Sequence, residues 1–477
     1  IYTLSLHDAL PISSLGSGPH RDASGWPDEL KSEADTRFFE GGRAAVPHLF
    51  WGGADCVELA ARFGTPLYVL DESVIRARCA EVRRDFLEHW PNASASYASK
   101  AFLTRTMARI VEDEGLGLDV VSLGELHTAL SAGFPAPRIE MHGSAKSEAE
   151  LNAALDAGIG RIVVDGLMEL EVLADLAARK GRRAEILLRV TPGVVPHTHA
   201  YIATGHEGSK FGLPLDGDLL PRAVRLALER DSISLRGLHF HVGSQIFDPT
   251  AHVRSVTRVV EAMKRLREEL GFRVWELNMG GGFGARSHPS EPSVPLKLFT
   301  DAMMEALQRA CEAGGLEVPD VSIEPGRWIV SEAGITLYRV ETVKELPGVT
   351  YVGVDGGMAD NPRPALYQAV YRAAVADRPG APPGLEDVKV SIVGKCCETG
   401  DILIENAVIP SVRRGEVLAL FNTGAYTFSM AGNYNRLCRP AVVLVKGGQA
   451  EVIVERQTPD DLLRGDRIPR RLARRGD

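Results

Sequence analysis

From Thr65 to Glu324 the chain alternates short apolar segments, rich in β-branched residues, with longer amphipathic ones. No other feature restricts the fold as much. The segments read as strands are 66–70, Ala93–Ala98, Leu118–Val121, Ile139–His142, Arg161–Asp165, Glu185–Val190, Leu235–Val242, Val274–Met279 and Val321–Glu324. Between them the spacing predicts helices over Ser73–Trp90, Thr104–Glu114, Leu123–Ser131, Ser147–Ala157 and Leu167–Lys180. The first helix carries its apolar positions at Val74, Ala77, Val82 and Phe86. Continuous apolar strands joined by helices must be covered on both faces, which parallel βαβ units achieve. About eight such units make a (β/α)8 TIM-like barrel of roughly 250 residues. A doubly wound sheet is the competing architecture.

After Ser331 the texture changes. Strand-like runs at 335–343, 351–355, 388–393, 417–422 and 441–454 are separated by Gly, Pro and Asp turns, with little helix between them. This predicts a C-terminal, mostly antiparallel β domain of barrel or sandwich type. The expected division is a non-native or disordered leader at 1–40, a segment at 41–70 joining the β domain, and the barrel at 71–330. The β domain follows at 331–463, then a basic tail at 464–477 with six arginines. Ile1–Ser13 has no starting Met, no basic n-region and no AxA-like site, so it reads as foreign to the fold rather than as a signal peptide.

With 477 residues, 44% of them hydrophobic and 25% charged, the composition is that of a globular protein of two domains. The net charge of −9 argues against a nucleic-acid binder. No apolar run is long enough for a bilayer span, so no membrane partner is expected. The six cysteines show no CxxC spacing and read as reduced thiols in a cytoplasmic protein.

In a barrel of this kind, function sits at the C-terminal ends of the strands. Lys100 ends the strand carrying Tyr97-Ala98-Ser99. Desolvated there, an amine sheds its proton and becomes a nucleophile; otherwise it is a solvated loop lysine. His239 and His241 share one face of their strand. They could bind a metal with His142 and Asp165, pack on a ligand ring, or be hydrogen-bonded core histidines. Gly280-Gly281-Gly282-Phe283-Gly284 lets backbone amides approach a phosphate, or is a bare tight turn. Glu324-Pro325-Gly326-Arg327 places an acid and a base three apart, as ligands or as a local ion pair. Cys397, close in sequence to Glu398 and Asp401, is either a proton donor or a buried thiol.

Taken in order, these blocks resemble the fold-type III decarboxylases that depend on pyridoxal 5'-phosphate (PLP), from about Thr65 to Leu463. The blocks are Tyr97 to Ala101, His241 to Ser244, the triple glycine, Glu324 to Arg327, Cys397 to Asp401, and Gly424 to Tyr426. Further stretches are similar to the diaminopimelate branch: Leu118 to Leu126, His197-Thr198-His199, Ser209 to Gly212, Val354 to Tyr367 and Ser429 to Asn435. Phe102, Thr399, Gly166 and the run Gly143 to Ser147 depart from the branch pattern without removing a catalytic group.

The resemblance implies decarboxylation of meso-2,6-diaminopimelate to L-lysine and CO2. It implies that Lys100 carries PLP, Glu324 keeps the ring nitrogen protonated, and His241 stacks on the ring. Gly243, Ser244, Gly280, Gly281, Gly282, Gly326, Arg327 and Tyr426 would hold the phosphate, and Cys397 would return a proton. Arg327, Arg363, Tyr367, Glu398 and Tyr426 would read the substrate's far end. It further implies a homodimer whose site is shared across the interface, with no resident metal. The alternatives are a related decarboxylase acting on ornithine, lysine or carboxynorspermidine, a metal-dependent barrel hydrolase, and a catalytically silent regulatory protein of the same fold.

Overall fold

The computed structural model describes residues 48–194, 209–286, 291–379, 386–472 and 474. The leader, the His197-Thr198-His199 motif and the end of the tail lie outside the described residues.

Eight parallel strands close into a barrel: Ala93–Ala98, Gly117–Val120, Ile139–Met141, Arg161–Val164, Ala184–Thr191, Ile233–Phe240, Glu276–Asn278 and Asp320–Ile323. Closure is made by the last strand returning to the first, with Ser322 opposite Ser94. Consecutive strands neighbour one another throughout. The connections explain why: a helix returns the chain to the same end each time, so every strand runs the same way.

Several of these helices are started by side-chain caps. Thr104 accepts from the Met107 amide at 3.1 Å, and Ser147 with Glu150 forms a reciprocal capping box. Each cap stabilises its helix by about 1 kcal/mol. The helix over Glu72–Val82 buries the expected Val82 and packs Val74 against the core, but not Ala77. Ile75, Cys79 and Val82 are buried, whereas Ala77 is exposed. The helix also widens into a π-helical turn at Arg83–Leu87, which carries Phe86 into the core.

The second unit is built on the long strand Gly334–Leu346. It pairs antiparallel with Val349–Val354, with Val417–Phe421 and with Leu67–Asp71, the strand that precedes the barrel. Two of its pairings are parallel, Val349–Val354 with Asp387–Val393, and Leu67–Asp71 with Ala441–Lys446. The run 441–454 is not one strand but a hairpin, turned at Gly447 and Gly448, whose φ values of +56° and +84° suit glycine. Ile402–Pro410 is a strand that sequence reasoning passed over. Glu405 and Asn406, adjacent and both exposed, break its apolar run and its alternation where the pairing is irregular and Asn406 has a φ of +57°. All six cysteines are free thiols, four of them buried.

Candidate active site

Every barrel strand delivers a polar residue at or near its C-terminal end. In strand order these are Lys100, Asp119, His142, Asp165, Arg189, His239 with His241, Asn278, and Glu324. Lys100 lies in the 3-10 turn Ser99–Ala101 that ends its strand. Its Nζ is 2.7 Å from Oδ2 of Asp119, a fully buried carboxylate on the next strand. The expected desolvation therefore does not free the amine of its proton. Burial pulls the Lys100 pKa down, but the Asp119 charge and, behind it, Tyr426 and Glu324 together outweigh it and hold the amine above its ordinary value.

The three glycines are required by close approach. A Cβ on Gly281 would sit 2.1 Å from the Glu324 carbonyl oxygen, and one on Gly282 would sit 2.1 Å from that of Gly243. At Gly280, φ is +68° and a Cβ would meet the Phe240 carbonyl at 2.4 Å. The loop is held from two sides. The Gly281 amide donates to His241 Nδ1 at 3.2 Å, and His252 Nε2 donates to the Gly281 carbonyl at 2.9 Å. Burial pushes His252 down to about 4, so its ring is neutral and carries a single proton to donate. His252 also stacks on Phe283 within the core.

Glu324 and Arg327 do not form the local ion pair that their spacing allowed. The Glu324 carboxylate turns inward to His239 and His142. Arg327 opens a short helix, and its Nε and Nη2 each donate to Ser244 Oγ at 3.3 Å. Gly326 precedes it because a Cβ there would lie 2.8 Å from that of Ala98.

The β domain completes the mouth. The Tyr426 amide donates to the Ala101 carbonyl at 2.8 Å, which ties its loop beside Lys100. The guanidinium carbons of Arg327 and Arg363 stand 4.6 Å and 5.6 Å from the Tyr426 ring centroid. Arg363 lies 5.3 Å from the Tyr367 ring centroid. Both arginines are buried, and among the described residues neither has a carboxylate within ion-pairing distance. Burial first, and then the neighbouring Arg363 charge, push Arg327 down to about 10. Two adjacent buried cations short of counter-charge form a site for anions.

Cys397 and Glu398 are not part of this cluster. Both are exposed, and their partners are local: the Cys397 amide donates to Asn435 Oδ1 at 2.6 Å, and Tyr434 donates to Glu398 Oε2 at 3.2 Å. The Asp401 carboxylate, expected beside the thiol, faces inward and accepts from the Met358 and Cys396 amides.

Of the set offered for a metal hydrolase, His239 and His142 come together, joined by Glu324 with their ligand atoms within 4.8 Å of one another, but His241 and Asp165 do not join them. His241 turns to the Gly281 amide, while Asp165 takes the Gly212 amide at 3.0 Å. Sequence reasoning gave no role to Asp119, Arg189 or His252. The signal for the first was present: a carboxylate inside the apolar run Leu118–Val121 must find a partner. Arg189, half-buried on its strand with its guanidinium 4.4 Å from the Phe211 ring centroid, carried the same signal.

Comparison with known proteins agrees with this geometry. Residues 73–331 match the family described as pyridoxal-dependent decarboxylase, pyridoxal binding domain. The chain is 47% identical to diaminopimelate decarboxylase of Bacillus subtilis over 420 residues, 88% of this chain and 95% of that one. It is 43% identical to that of Actinosynnema pretiosum over 97% of this chain and 99% of the relative. The crystal structure of diaminopimelate decarboxylase from M. jannaschii in complex with L-lysine superposes with a TM-score of 0.85 at 32% identity. It covers 92% of this chain and 99% of that one. A lysine/ornithine decarboxylase from Vibrio vulnificus with putrescine gives a TM-score of 0.69 at 25% identity, over 82% of this chain and 98% of that one. The chain belongs to the diaminopimelate decarboxylase family of pyridoxal-dependent decarboxylases.

Proposed function

We propose that this chain decarboxylates meso-2,6-diaminopimelate to L-lysine and CO2 with PLP as its cofactor. The observation that carries this reading is the buried pair Arg327 and Arg363. One cation suffices for the cofactor's phosphate, and the second, beside Tyr367 and Tyr426, suits a carboxylate at the substrate's far end. Ornithine and lysine have none there.

The residues fit PLP. The glycine loop leaves no room for side chains where backbone amides would meet a phosphate. Ser244, Arg327 and Tyr426 border the same place. Lys100 would hold the cofactor through its amine, His241 would lie on the ring face, and Glu324 would face the ring nitrogen. When bound, PLP supplies an electron sink for the electron pair released as CO2 departs.

The chain's own residues do the rest. Glu324, kept as an anion, holds a proton on the ring nitrogen. Arg363, with Tyr367 and Tyr426 packed beside it, fixes the far carboxylate and so orients the reacting carbon. Cys397 is a thiol able to return a proton to that carbon, and Glu398 can bind the far amine. Their exposure, away from the chain's own barrel mouth, suits a homodimer in which each subunit lends these two residues to its partner. Six unpaired thiols suit a cytoplasmic setting. Among the described residues no helix is long and apolar enough to cross a membrane.

The test is direct: purified protein with PLP and meso-diaminopimelate should form L-lysine, and a Lys100→Ala variant should form none. Absence of lysine from the unaltered chain overturns the substrate assignment.

A further inference from the structure

Glu324 sits at the centre of the barrel mouth with its carboxylate 4% exposed. Two imidazoles reach it from other strands. His239 Nε2 is 3.1 Å and His142 Nε2 is 3.3 Å from the same oxygen, Oε1. In the free chain these are close polar contacts rather than well-aligned hydrogen bonds. The two rings meet nearly edge to face, with centroids 4.9 Å apart. His142 Nε2 is also 3.4 Å from Glu140 Oε2. Glu140 is fixed in turn by Ser96 Oγ at 2.9 Å and Asn278 Nδ2 at 3.1 Å. Polar groups thus run along the barrel axis from Ser96 and Glu140 up to Glu324.

We propose that His142 and His239 are positioning residues for Glu324. By occupying Oε1 they fix the plane of the carboxylate and hold it as an anion, so that Oε2 is the oxygen presented to the cofactor's ring nitrogen. This rests on the PLP reading of the site.

The physical need is clear. A carboxyl group buried alone takes up a proton, and a neutral acid cannot keep a pyridine ring protonated. Burial pushes Glu324 up, but His142 and His239, joined by Lys100, together outweigh it and hold the group well below the carboxylate range. The two histidines divide the work. Burial drives His239 down to about 4, which leaves a neutral ring with one N–H. For His142, burial is outweighed by Asp119 and then Glu324, which raise it and favour the charged ring. Lys100, Asp119, Glu140, Arg189 and His241 are the other titratable groups facing this cluster.

The experiment compares His239→Leu, His142→Leu and the donor-retaining His239→Gln with the unaltered holoenzyme. PLP affinity is measured beside that of an analogue with carbon in place of the ring nitrogen, and the absorbance of bound PLP is followed against pH. The Leu variants should bind PLP roughly tenfold more weakly, the size of a lost hydrogen bond to a charged group. They should bind the analogue as well as the unaltered chain does. Their ring nitrogen should lose its proton roughly one pH unit lower. His239→Gln should recover most of both effects. Equal loss for PLP and analogue, or an unmoved absorbance profile, overturns the proposal and leaves a packing role. If a Leu variant does not fold, the same ratio of affinities is read from His239→Gln and His142→Gln, which then carry the smaller expected loss. Failure of the unaltered chain to bind PLP would overturn the proposed function instead.

Discussion

Lys100 Nζ and Asp119 Oδ2 lie 2.7 Å apart on adjacent strands, and this pair governs the charge of the amine before the cofactor arrives. A protonated amine cannot attack an aldehyde. The raised pKa means that the charged form persists through neutral pH and is lost only as pH rises beyond the ordinary lysine range.

The first prediction follows. In Asp119→Asn the attraction is gone while burial remains, so the Lys100 pKa falls. PLP uptake by the cofactor-free protein should become faster at neutral pH, by about tenfold for each pKa unit, about 1.4 kcal/mol, removed. The pH dependence of uptake should move to lower pH. Stopped-flow absorbance across neutral to alkaline pH checks this. A profile unchanged from the unaltered protein would mean that Asp119 does not set the charge.

Arg363 separates substrate recognition from cofactor binding. Arg363→Gln should raise KM for meso-diaminopimelate by roughly ten- to a hundredfold, the weight of a charge-assisted contact. PLP affinity should change little, because Ser244 and Arg327 remain. Steady-state kinetics beside a PLP titration gives both numbers. A loss confined to PLP affinity would assign Arg363 to the phosphate.

Cys397 and Glu398 test the shared site. Lys100→Ala and Cys397→Ala should each be nearly inactive alone. Mixed in equal amounts and allowed to exchange subunits, they should recover about a quarter of the unaltered activity, because half the dimers then hold one intact site. No recovery on mixing would place Cys397 in its own subunit's chemistry or outside it altogether.

Much of this was legible in order along the chain. Each barrel strand is a short apolar run bounded by a helix, and burial on both faces leaves such runs few arrangements. The same logic placed Lys100, the triple glycine and Glu324 at strand ends. The strand at 402–410 was passed over because Glu405 and Asn406 interrupt its apolar run at an irregularity in the pairing, so neither a continuous nor an alternating pattern shows. On the helix over Glu72–Val82 the expected Val82 is buried but Ala77 is exposed, its place taken by Ile75 and Cys79, which a count of four apolar positions left out.

What the sequence determined by itself was therefore the succession of elements and the identity of the groups that reach the mouth, since both follow from periodicity and from residues adjacent in the chain. What only the tertiary structure decided was the charge and direction of those groups. Asp119 keeps Lys100 protonated, His142 and His239 claim Glu324 from Arg327, and Asp401 turns away from Cys397. The first two depend on strands brought side by side and across the barrel, the last on the fold of a tight turn. Electrostatic energy depends on separation in space and on burial, neither of which the spacing along the chain records.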